Sequence, residues 1–200
     1  MVRIVDSNRN FLALGHYLKG DIAVKIFSFE EVDISRDYWH QRLLQCFLKR
    51  RSMGIATGEP GQAYRLVYSE GDGLPGLIID YYNGVAVIQA SSKGMRRLLP
   101  VFTEALTDIY GENLKTVYDK SDDKEAEFTS GSRFLYGSSD RARILENGNH
   151  FLVDFVNGQK TGFFLDQRLN RLFAHFYAKD RVVLNAFCYS GAFTVSALRG

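Results

Sequence analysis

The sequence predicts an α/β fold, and three observations in its 200 residues lead to that class. Near the end, the apolar run Val182–Phe187 stops in a small polar turn and restarts as Ala192–Leu198, a pattern typical of a buried parallel strand, a loop and a helix. In the middle, the β-rich runs Tyr64–Tyr68, Gly76–Asp80 and Val85–Gln89 predict further strands. Between the strands, apolar residues recur at helical spacing.

The N-terminal part of the chain is expected to form three short strands and one helix. Val2–Asp6 and Phe11–Tyr17 flank a turn-rich tetrapeptide and predict a hairpin, and alternation in Ile22–Phe27 predicts a third strand. Ser35 can cap the following helix. The expected core stripe of this helix consists of Trp39, Leu43, Cys46 and Phe47.

Turn and breaker residues divide the middle of the chain. A domain boundary is expected at Thr57–Gly61, and Asn83-Gly84 predicts a two-residue hairpin because both central positions need positive φ. A helical stretch then runs to Tyr110, and Pro100 inside it predicts a kink or two helices.

Another strand, a loop and a hairpin are expected before the final segment. Leu114–Tyr118 is predicted to be a strand, and the charged residues from Asp119 to Gly131 are expected to form a surface loop. Arg143–Glu146 and His150–Phe155 flank a turn-forming tripeptide and predict a hairpin.

Composition narrows the classes of function. The chain is 46% hydrophobic and 24% charged with a net charge of +2, which is too small to indicate nucleic-acid binding by itself. Cys46 and Cys188 are too far apart to suggest a disulfide framework or a metal site, so a cytoplasmic protein without metal is expected. No signal peptide or bilayer-length apolar run is seen. Asp72 and Asp80 are expected to have structural roles, since Gly71-Asp72-Gly73 is ordinary turn chemistry.

Two stretches near the end carry the chemistry. Gly191 is the single glycine of the turn after Val182–Phe187, whereas a dinucleotide site needs three, so a ligand without phosphate such as S-adenosylmethionine fits better. Upstream, Arg168 could bind a ligand carboxylate, and Phe163 and Phe164 could cover an adenine. The alternative for the stretch at Gly191 is an ordinary βα turn without a ligand, and the alternative for the upstream stretch is a helix start with a solvated charged turn.

The helix after the second stretch is predicted to be amphipathic. Its expected core face consists of Leu165, Leu169, Leu172, Phe173 and Phe176.

Three separated stretches resemble one protein family. Gln159–Arg168 and Phe187–Gly191 are similar to the class I S-adenosylmethionine-dependent methyltransferases of the large-subunit ribosomal RNA cytosine family, and Glu70–Asp80 is similar to a motif of its central domain. The resemblance covers nearly the whole chain. It implies four parts: a PUA-like RNA-binding remnant at 1–30, a linker helix at 31–60, a central α/β domain at 61–145, and the start of a Rossmann-like methyltransferase domain at 146–200.

The resemblance also implies a function. The expected activity is formation of 5-methylcytosine in large-subunit ribosomal RNA, with S-adenosyl-L-methionine as cofactor and RNA as partner, without a membrane; a homodimer remains open. The expected cofactor-binding residues are Thr161, Gly162, Phe163, Phe164, Gln167, Arg168, Asn185, Ala186, Phe187, Cys188, Tyr189, Ser190 and Gly191.

No catalytic residue is expected in these 200 residues. In the resembled family the nucleophilic cysteine lies downstream of these motifs, so the chain is expected to be a truncated and inactive piece. The alternatives are a non-catalytic RNA-binding or assembly module with a degenerate cofactor pocket, and a class I methyltransferase with another substrate.

Overall fold

Three short antiparallel strands form the first sheet of the computed structural model, which describes residues 1–121 and 132–200. Their bounds are β1 Val2–Val5, β2 Phe11–Tyr17 and β3 Val24–Ser28, in the order β1-β2-β3. The predicted hairpin turn is built around Asp6, whose carboxylate accepts hydrogen bonds from the backbone N–H groups of Asn8 and Asn10. The three strands that the sequence predicts here are confirmed.

Helix α1, Arg36–Ser52, begins at the predicted cap. The hydroxyl oxygen of Ser35 accepts a hydrogen bond from the backbone N–H of Tyr38 at 3.3 Å. The predicted core stripe is buried or partly buried at Trp39, Leu43, Cys46 and Phe47. Arg50 in the last turn is also buried, and it donates to the carbonyl oxygen of Arg65 at 2.9 Å.

A mixed five-stranded sheet forms the centre of the chain. Its strands, in spatial order, are β4 Ala63–Tyr68, β5 Leu77–Tyr82, β6 Val85–Ala90, β7 Thr116–Asp119 and β8 Arg133–Tyr136. Strands β6 and β7 are parallel, and the crossover between them consists of α2 Lys93–Arg97 and α3 Leu99–Tyr110. Pro100 lies in the first turn of α3, so the prediction of two helices is confirmed. Asn83 and Gly84 both have positive φ, as their hairpin requires.

Side chains of β5 alternate between the two faces of this sheet. The residues that pack in the core shared with α1 and α3 are Leu77, Ile79 and Tyr81. Tyr82 packs in a second core on the opposite face. A hairpin of β9 Ala142–Glu146 and β10 Asn149–Val153 contributes to that second core. The candidate site is built on this second face.

The core face predicted for the helix after β10 is wrong. Helix α4, Arg168–Ala178, is present. Of the five residues expected to form its core face, only Leu165, just before the helix, packs against the second core. The other four, Leu169, Leu172, Phe173 and Phe176, are exposed or only partly buried. The helix instead buries Arg171, because the carboxylate of Glu146 receives two hydrogen bonds from its guanidinium. An ion pair with a strand residue therefore decides which face turns inward.

The strand predicted at Val182–Phe187 is also wrong, since this segment is irregular and exposed. Val182 and Phe187 are 104% and 102% exposed. A parallel strand needs hydrogen-bonding neighbours, and no strand in the described parts of the chain pairs with these residues. Phe187, at a φ of 57°, also leaves the extended region. Helix α5, Ala192–Leu198, follows as predicted.

The loop predicted from Asp119 to Gly131 begins at the last residue of β7. Its residues 122–131 lie outside the described part of the chain. Among the helices of residues 1–121 and 132–200, none has the length and apolar character that spanning a bilayer requires.

Candidate functional site

The segment after β10 starts with a turn that the central sheet holds in place. The carboxylate of Asp154 accepts the backbone N–H of Asn157 at 2.8 Å, and this bond lowers the pKa of Asp154. Lys120, directly after β7, donates its ammonium group to the carbonyl oxygens of Phe155 (2.6 Å) and Gly158. Burial lowers the pKa of Lys120. The ammonium group thus fixes the chain at the point where Gln159–Arg168 begins.

A buried polar network attaches Thr161 to β5. Asp80, fully buried, accepts two hydrogen bonds from the guanidinium of Arg65 at 2.8 and 2.9 Å and one from the Thr161 hydroxyl at 2.6 Å. The hydroxyl of Tyr82 lies 2.9 Å from Thr161 Oγ1 and 3.2 Å from the carbonyl oxygen of Phe163. Hydrogen bonding to Asp80 raises the pKa of Arg65, and burial raises that of Tyr82. Asp80 therefore has the structural role expected of it.

Gly162 allows this segment to pass close to the preceding turn. Its φ is 111°, and a Cβ atom built on it would lie 2.8 Å from the Cα of Phe155. Residues with a side chain rarely adopt this backbone conformation, and the position of the Cβ atom is already occupied, so glycine is required here.

The two adjacent aromatic residues have different environments. Phe163 is buried, and the guanidinium of Arg171 lies 4.5 Å from its ring centroid. Phe164 is half-buried, and its carbonyl oxygen accepts a hydrogen bond from Arg171 at 2.9 Å. Since Glu146 binds the same guanidinium at 2.5 and 2.9 Å, Arg171 joins the aromatic pair to strand β9.

Arg168 and Gln167 lie at the start of α4, and both already have protein partners. Arg168 donates to the carboxylate of Glu146 at 3.2 Å and to the carbonyl oxygen of Ala63 at 2.7 Å. Its side chain remains 41% exposed. Gln167 donates to Asp166 at 2.8 Å.

The second stretch, Asn185–Gly191, forms an exposed loop before α5. The side-chain amide of Asn185 donates to the hydroxyl of Thr194 at 2.7 Å, which ties the loop to α5. Gly191 has a φ of 72°, and its N–H donates to the carbonyl oxygen of Cys188 at 2.7 Å. The loop residues that are exposed to solvent are Ala186, Phe187, Cys188, Tyr189 and Ser190.

Tyr189 brings the two stretches together. Its hydroxyl accepts the backbone N–H of Gln159 at 2.8 Å and donates to the carbonyl oxygen of Gly162 at 3.0 Å. Its ring packs edge-on against Phe164, with centroids 5.3 Å apart. Partial burial of the hydroxyl raises the pKa of Tyr189.

The junction is open to solvent beside Gly191. A Cβ atom built on Gly191 would meet no atom within 4 Å, so there is open space beside the loop. The surfaces at the junction include the rings of Phe164 and Tyr189, on which an adenine could pack. Within the described residues, no group of three or more metal-ligating side chains is assembled.

The two cysteines differ in accessibility. Cys46 is buried, and burial raises the pKa of its thiol to about 11. Cys188 is exposed in the loop. A buried thiol with a raised pKa is a poor nucleophile because the thiolate is the reactive form.

Sequence reasoning missed the residues that support the segment from behind. Tyr82, Lys120 and Arg171 all hold backbone carbonyl oxygens between positions 155 and 164. Hydrogen bonds to backbone carbonyl oxygens produce no spacing pattern in the sequence. The one available signal was for Arg171, a charged residue among the apolar residues of a predicted helix.

Comparisons with known proteins all indicate one class of enzyme. A family model described as S-adenosylmethionine-dependent methyltransferase matches residues 88–200, more than half of the chain. The chain is 37% identical over 207 residues to the ribosomal RNA large subunit methyltransferase I of Pseudoalteromonas translucida (strain TAC 125). It is 35% identical over 206 residues to the protein of the same name from Aliivibrio fischeri (strain MJ11).

Both alignments cover 100% of this chain and 51% of the relative, so the chain spans about half the length of the curated relatives it matches. A solved structure of a candidate SAM-dependent methyltransferase from Streptococcus mutans superposes with a TM-score of 0.81 at 26% identity, covering 99% of this chain and 51% of that chain. Another, a candidate methyltransferase complexed with SAH, gives a TM-score of 0.83 at 26% identity, with the same coverage.

Proposed function

We propose, from the premise that this chain belongs to the S-adenosylmethionine-dependent methyltransferase family, that it binds S-adenosyl-L-methionine and serves in the methylation of large-subunit ribosomal RNA. The observation that carries the proposal is the junction at Tyr189, which joins two stretches assigned to the cofactor on independent sequence grounds. The relatives named ribosomal RNA large subunit methyltransferase I support the RNA substrate.

We assign separate tasks to the residues of the cofactor segment. Phe164, Gln167 and Arg168 would face the adenine and methionine ends, and Asn185–Gly191 would supply backbone contacts. Buried members such as Thr161 would keep the segment in shape, because their polar atoms are already bonded within the protein. When bound, the cofactor supplies an electrophilic methyl group on its sulfonium.

The proposed product is 5-methylcytosine. Carbon 5 of cytosine reacts with a methyl sulfonium once a cysteine thiolate has added to the neighbouring ring carbon. Neither Cys46, which is buried, nor Cys188, which lies in the proposed cofactor loop, is assigned this role. The catalytic nucleophile is therefore not assigned to this chain, and the chain alone is proposed to be inactive.

The domain plan belongs to the same proposal. Residues 1–30 would be a PUA-like RNA-binding part, 31–60 a linker helix, 61–145 a central α/β domain, and 146–200 the start of a Rossmann-like methyltransferase domain. A cytoplasmic location and a homodimer are further parts of the proposal.

Calorimetric titration of S-adenosylhomocysteine into the chain tests the cofactor assignment. A saturable heat is expected, with adenosine alone binding more weakly. Phe164→Ala is expected to weaken binding about 2- to 10-fold, the range that loss of one aromatic contact gives. Phe173→Ala is the matched control, because Phe173 is an exposed aromatic residue of α4 that is not assigned to the cofactor, and this variant should bind with unchanged affinity.

Arg168→Ala tests whether this side chain binds the ligand or only holds its protein partners Glu146 and Ala63. Because the guanidinium is assigned to the methionine carboxylate, the variant should bind S-adenosylhomocysteine more weakly and adenosine with unchanged affinity. Arg181→Ala removes an exposed arginine elsewhere and serves as control. Absence of any saturable heat with the unsubstituted chain would overturn the cofactor assignment and leave the RNA-binding module as the better hypothesis.

A further inference from the structure

One peptide unit of the candidate site is held at both of its ends. The carbonyl oxygen of Gly158 accepts a hydrogen bond from the ammonium group of Lys120. The N–H of the same peptide unit belongs to Gln159, and it donates to the hydroxyl of Tyr189 at 2.8 Å. Lys120 directly follows β7, whereas Tyr189 lies in the loop before α5. The Gly158–Gln159 peptide therefore joins the central sheet to the proposed cofactor loop.

The Lys120 end of this connection is attached to the sheet. The backbone N–H of Lys120 donates to the carbonyl oxygen of Ile88 in β6 at 2.8 Å. Its ammonium group also donates to the carbonyl oxygen of Phe155 at 2.6 Å, so it binds two carbonyl groups of one turn. The N–H of Gly158 closes that turn by donating to the carbonyl oxygen of Asp154 at 3.0 Å. A cation at the last carbonyl groups of such a turn stabilises them as it does at a helix C-terminus.

The Tyr189 end is in close contact with the same peptide. A Cβ atom built on Gly158 would lie 2.6 Å from the hydroxyl oxygen of Tyr189, so the hydroxyl approaches to a distance that only glycine permits. The hydroxyl also donates to the carbonyl oxygen of Gly162 at 3.0 Å, and the ring packs edge-on against Phe164. These contacts orient the Tyr189 ring at the junction.

The two hydrogen bonds of this peptide reinforce each other. A bond accepted by a peptide carbonyl oxygen draws electron density towards that oxygen, and the N–H of the same peptide becomes a stronger donor. The donor on the carbonyl side is an ammonium group, and hydrogen bonds from charged donors are the stronger ones. Loss of the Lys120 ammonium should therefore release the turn and also weaken the bond from Gln159 to Tyr189.

We infer that Lys120 is a positioning residue for the cofactor, which it serves by holding the Gly158–Gln159 peptide and, through it, the ring of Tyr189. This inference rests on the proposed function and adds a residue of the central sheet to those that set the affinity for S-adenosyl-L-methionine. Lys120 itself is not assigned a contact with the ligand. Because loss of either partner frees the same peptide, the effects of losing Lys120 and the Tyr189 hydroxyl should not be independent.

A double-mutant cycle on ligand affinity tests this coupling. Lys120→Met, Tyr189→Phe and the double variant are titrated with S-adenosylhomocysteine by calorimetry. Each single variant should bind about 3- to 10-fold more weakly, the range that one hydrogen bond gives. The double variant should bind about as weakly as the weaker single variant. A loss equal to the product of the two single effects would overturn the inference, and so would unchanged affinity in Lys120→Met.

The matched control removes the same two chemical groups elsewhere. Lys115 is exposed just before β7, and Tyr177 is exposed on α4. Neither residue is assigned to the cofactor or to its support. Lys115→Met/Tyr177→Phe should bind S-adenosylhomocysteine with the affinity of the unsubstituted chain, and an equal loss in this control would also overturn the inference.

Amide hydrogen exchange, measured by nuclear magnetic resonance without ligand, separates positioning from a general loss of stability. In Lys120→Met the amide of Gln159 should exchange about 3- to 10-fold faster, because its bond to Tyr189 is weakened. The amide of Phe102, which donates to Leu98 in α3 at 2.9 Å, should exchange at an unchanged rate. Equal acceleration at both amides would show that Lys120 serves only stability, which would overturn the inference.

The two measurements together distinguish failure of this inference from failure of the proposed function. If the unsubstituted chain does not bind S-adenosylhomocysteine, the proposed function fails and the inference falls with it, whatever the exchange at Gln159. If the ligand binds and Lys120→Met binds it equally well, the inference fails alone. Weaker binding in Lys120→Met, together with faster exchange at Gln159 but not at Phe102, supports both.

Discussion

Replacing Arg171 by methionine is expected to destabilise the chain strongly, because it leaves a carboxylate buried with one partner fewer. The side chains of Arg171 and Glu146 are 2% and 1% exposed, and their two hydrogen bonds measure 2.5 and 2.9 Å. The same guanidinium donates to the carbonyl oxygen of Phe164 and packs on the ring of Phe163. Methionine retains the length and the apolar contact but none of the donors.

The expected loss can be bounded from these contacts. Removing one partner of a buried ion pair costs about 3–5 kcal/mol, since the remaining charge stays desolvated. Arg168 still donates to Glu146 at 3.2 Å, which compensates part of the loss. We therefore expect the lower end of the range, about 3 kcal/mol. Changing Glu146 to leucine in the same chain removes the orphaned charge, so Glu146→Leu/Arg171→Met should be more stable than Arg171→Met alone.

Urea unfolding followed by circular dichroism measures these free energies, and a double-mutant cycle gives the coupling between the two residues. Arg181→Met, which removes an exposed arginine, should change the free energy of unfolding by less than about 0.5 kcal/mol. If the effects of the two single substitutions simply added, the pair would not act as a unit. The account of why α4 turns its arginine inward would then be refuted.

Three further predictions follow from single contacts. Burial lowers the pKa of His16 to about 4 from 6.5, so the unfolded chain takes up a proton before the folded chain does as the pH falls. The free energy of unfolding should therefore drop by up to about 3 kcal/mol between pH 6.5 and 4. In urea titrations, His16→Phe should remove this pH-dependent part of the stability. Thr161→Val removes one hydrogen-bond donor to buried Asp80 and should cost about 1–3 kcal/mol of unfolding free energy, whereas Thr161→Ser should restore most of it. A thiol reagent at pH 8 should modify Cys188 but not buried Cys46 in the folded chain, and S-adenosylhomocysteine should slow that reaction; an unaffected rate would argue against the loop as part of the cofactor site.

Local signals in the sequence were sufficient for most elements. Ser35 caps α1 through its hydroxyl, Asn83-Gly84 makes a turn that only positive φ permits, and Pro100 separates α2 from α3. Each of these local features depends on one or two residues and on backbone sterics, so it can be predicted without knowing which elements pack nearby. The order β4-β5-β6-β7-β8 could not be obtained in this way, because it depends on contacts between distant parts of the chain.

The errors arose where burial depends on a partner. The apolar run at Val182–Phe187 has the composition of a buried strand, yet burial requires a neighbouring strand, and none pairs with it among the described residues. The apolar periodicity of α4 likewise indicates which residues share a face, but not whether another element packs against that face. The buried side of α4 instead carries Arg171, which pairs with Glu146.

Strand β5 joins two stretches that the sequence analysis singled out separately, Glu70–Asp80 and Gln159–Arg168. Asp80 closes the first motif and Thr161 lies in the second, and a 2.6 Å hydrogen bond joins their side chains in a fully buried environment. A change at Asp80 should therefore alter the proposed cofactor segment, although Asp80 itself is not assigned a contact with the ligand. Asp80→Asn offers the discriminating case, because it keeps the shape but places an amide where Arg65 and Thr161 both donate. Loss of S-adenosylhomocysteine binding in a folded Asp80→Asn chain would make Asp80 a positioning residue, whereas full binding would confine its role to stability.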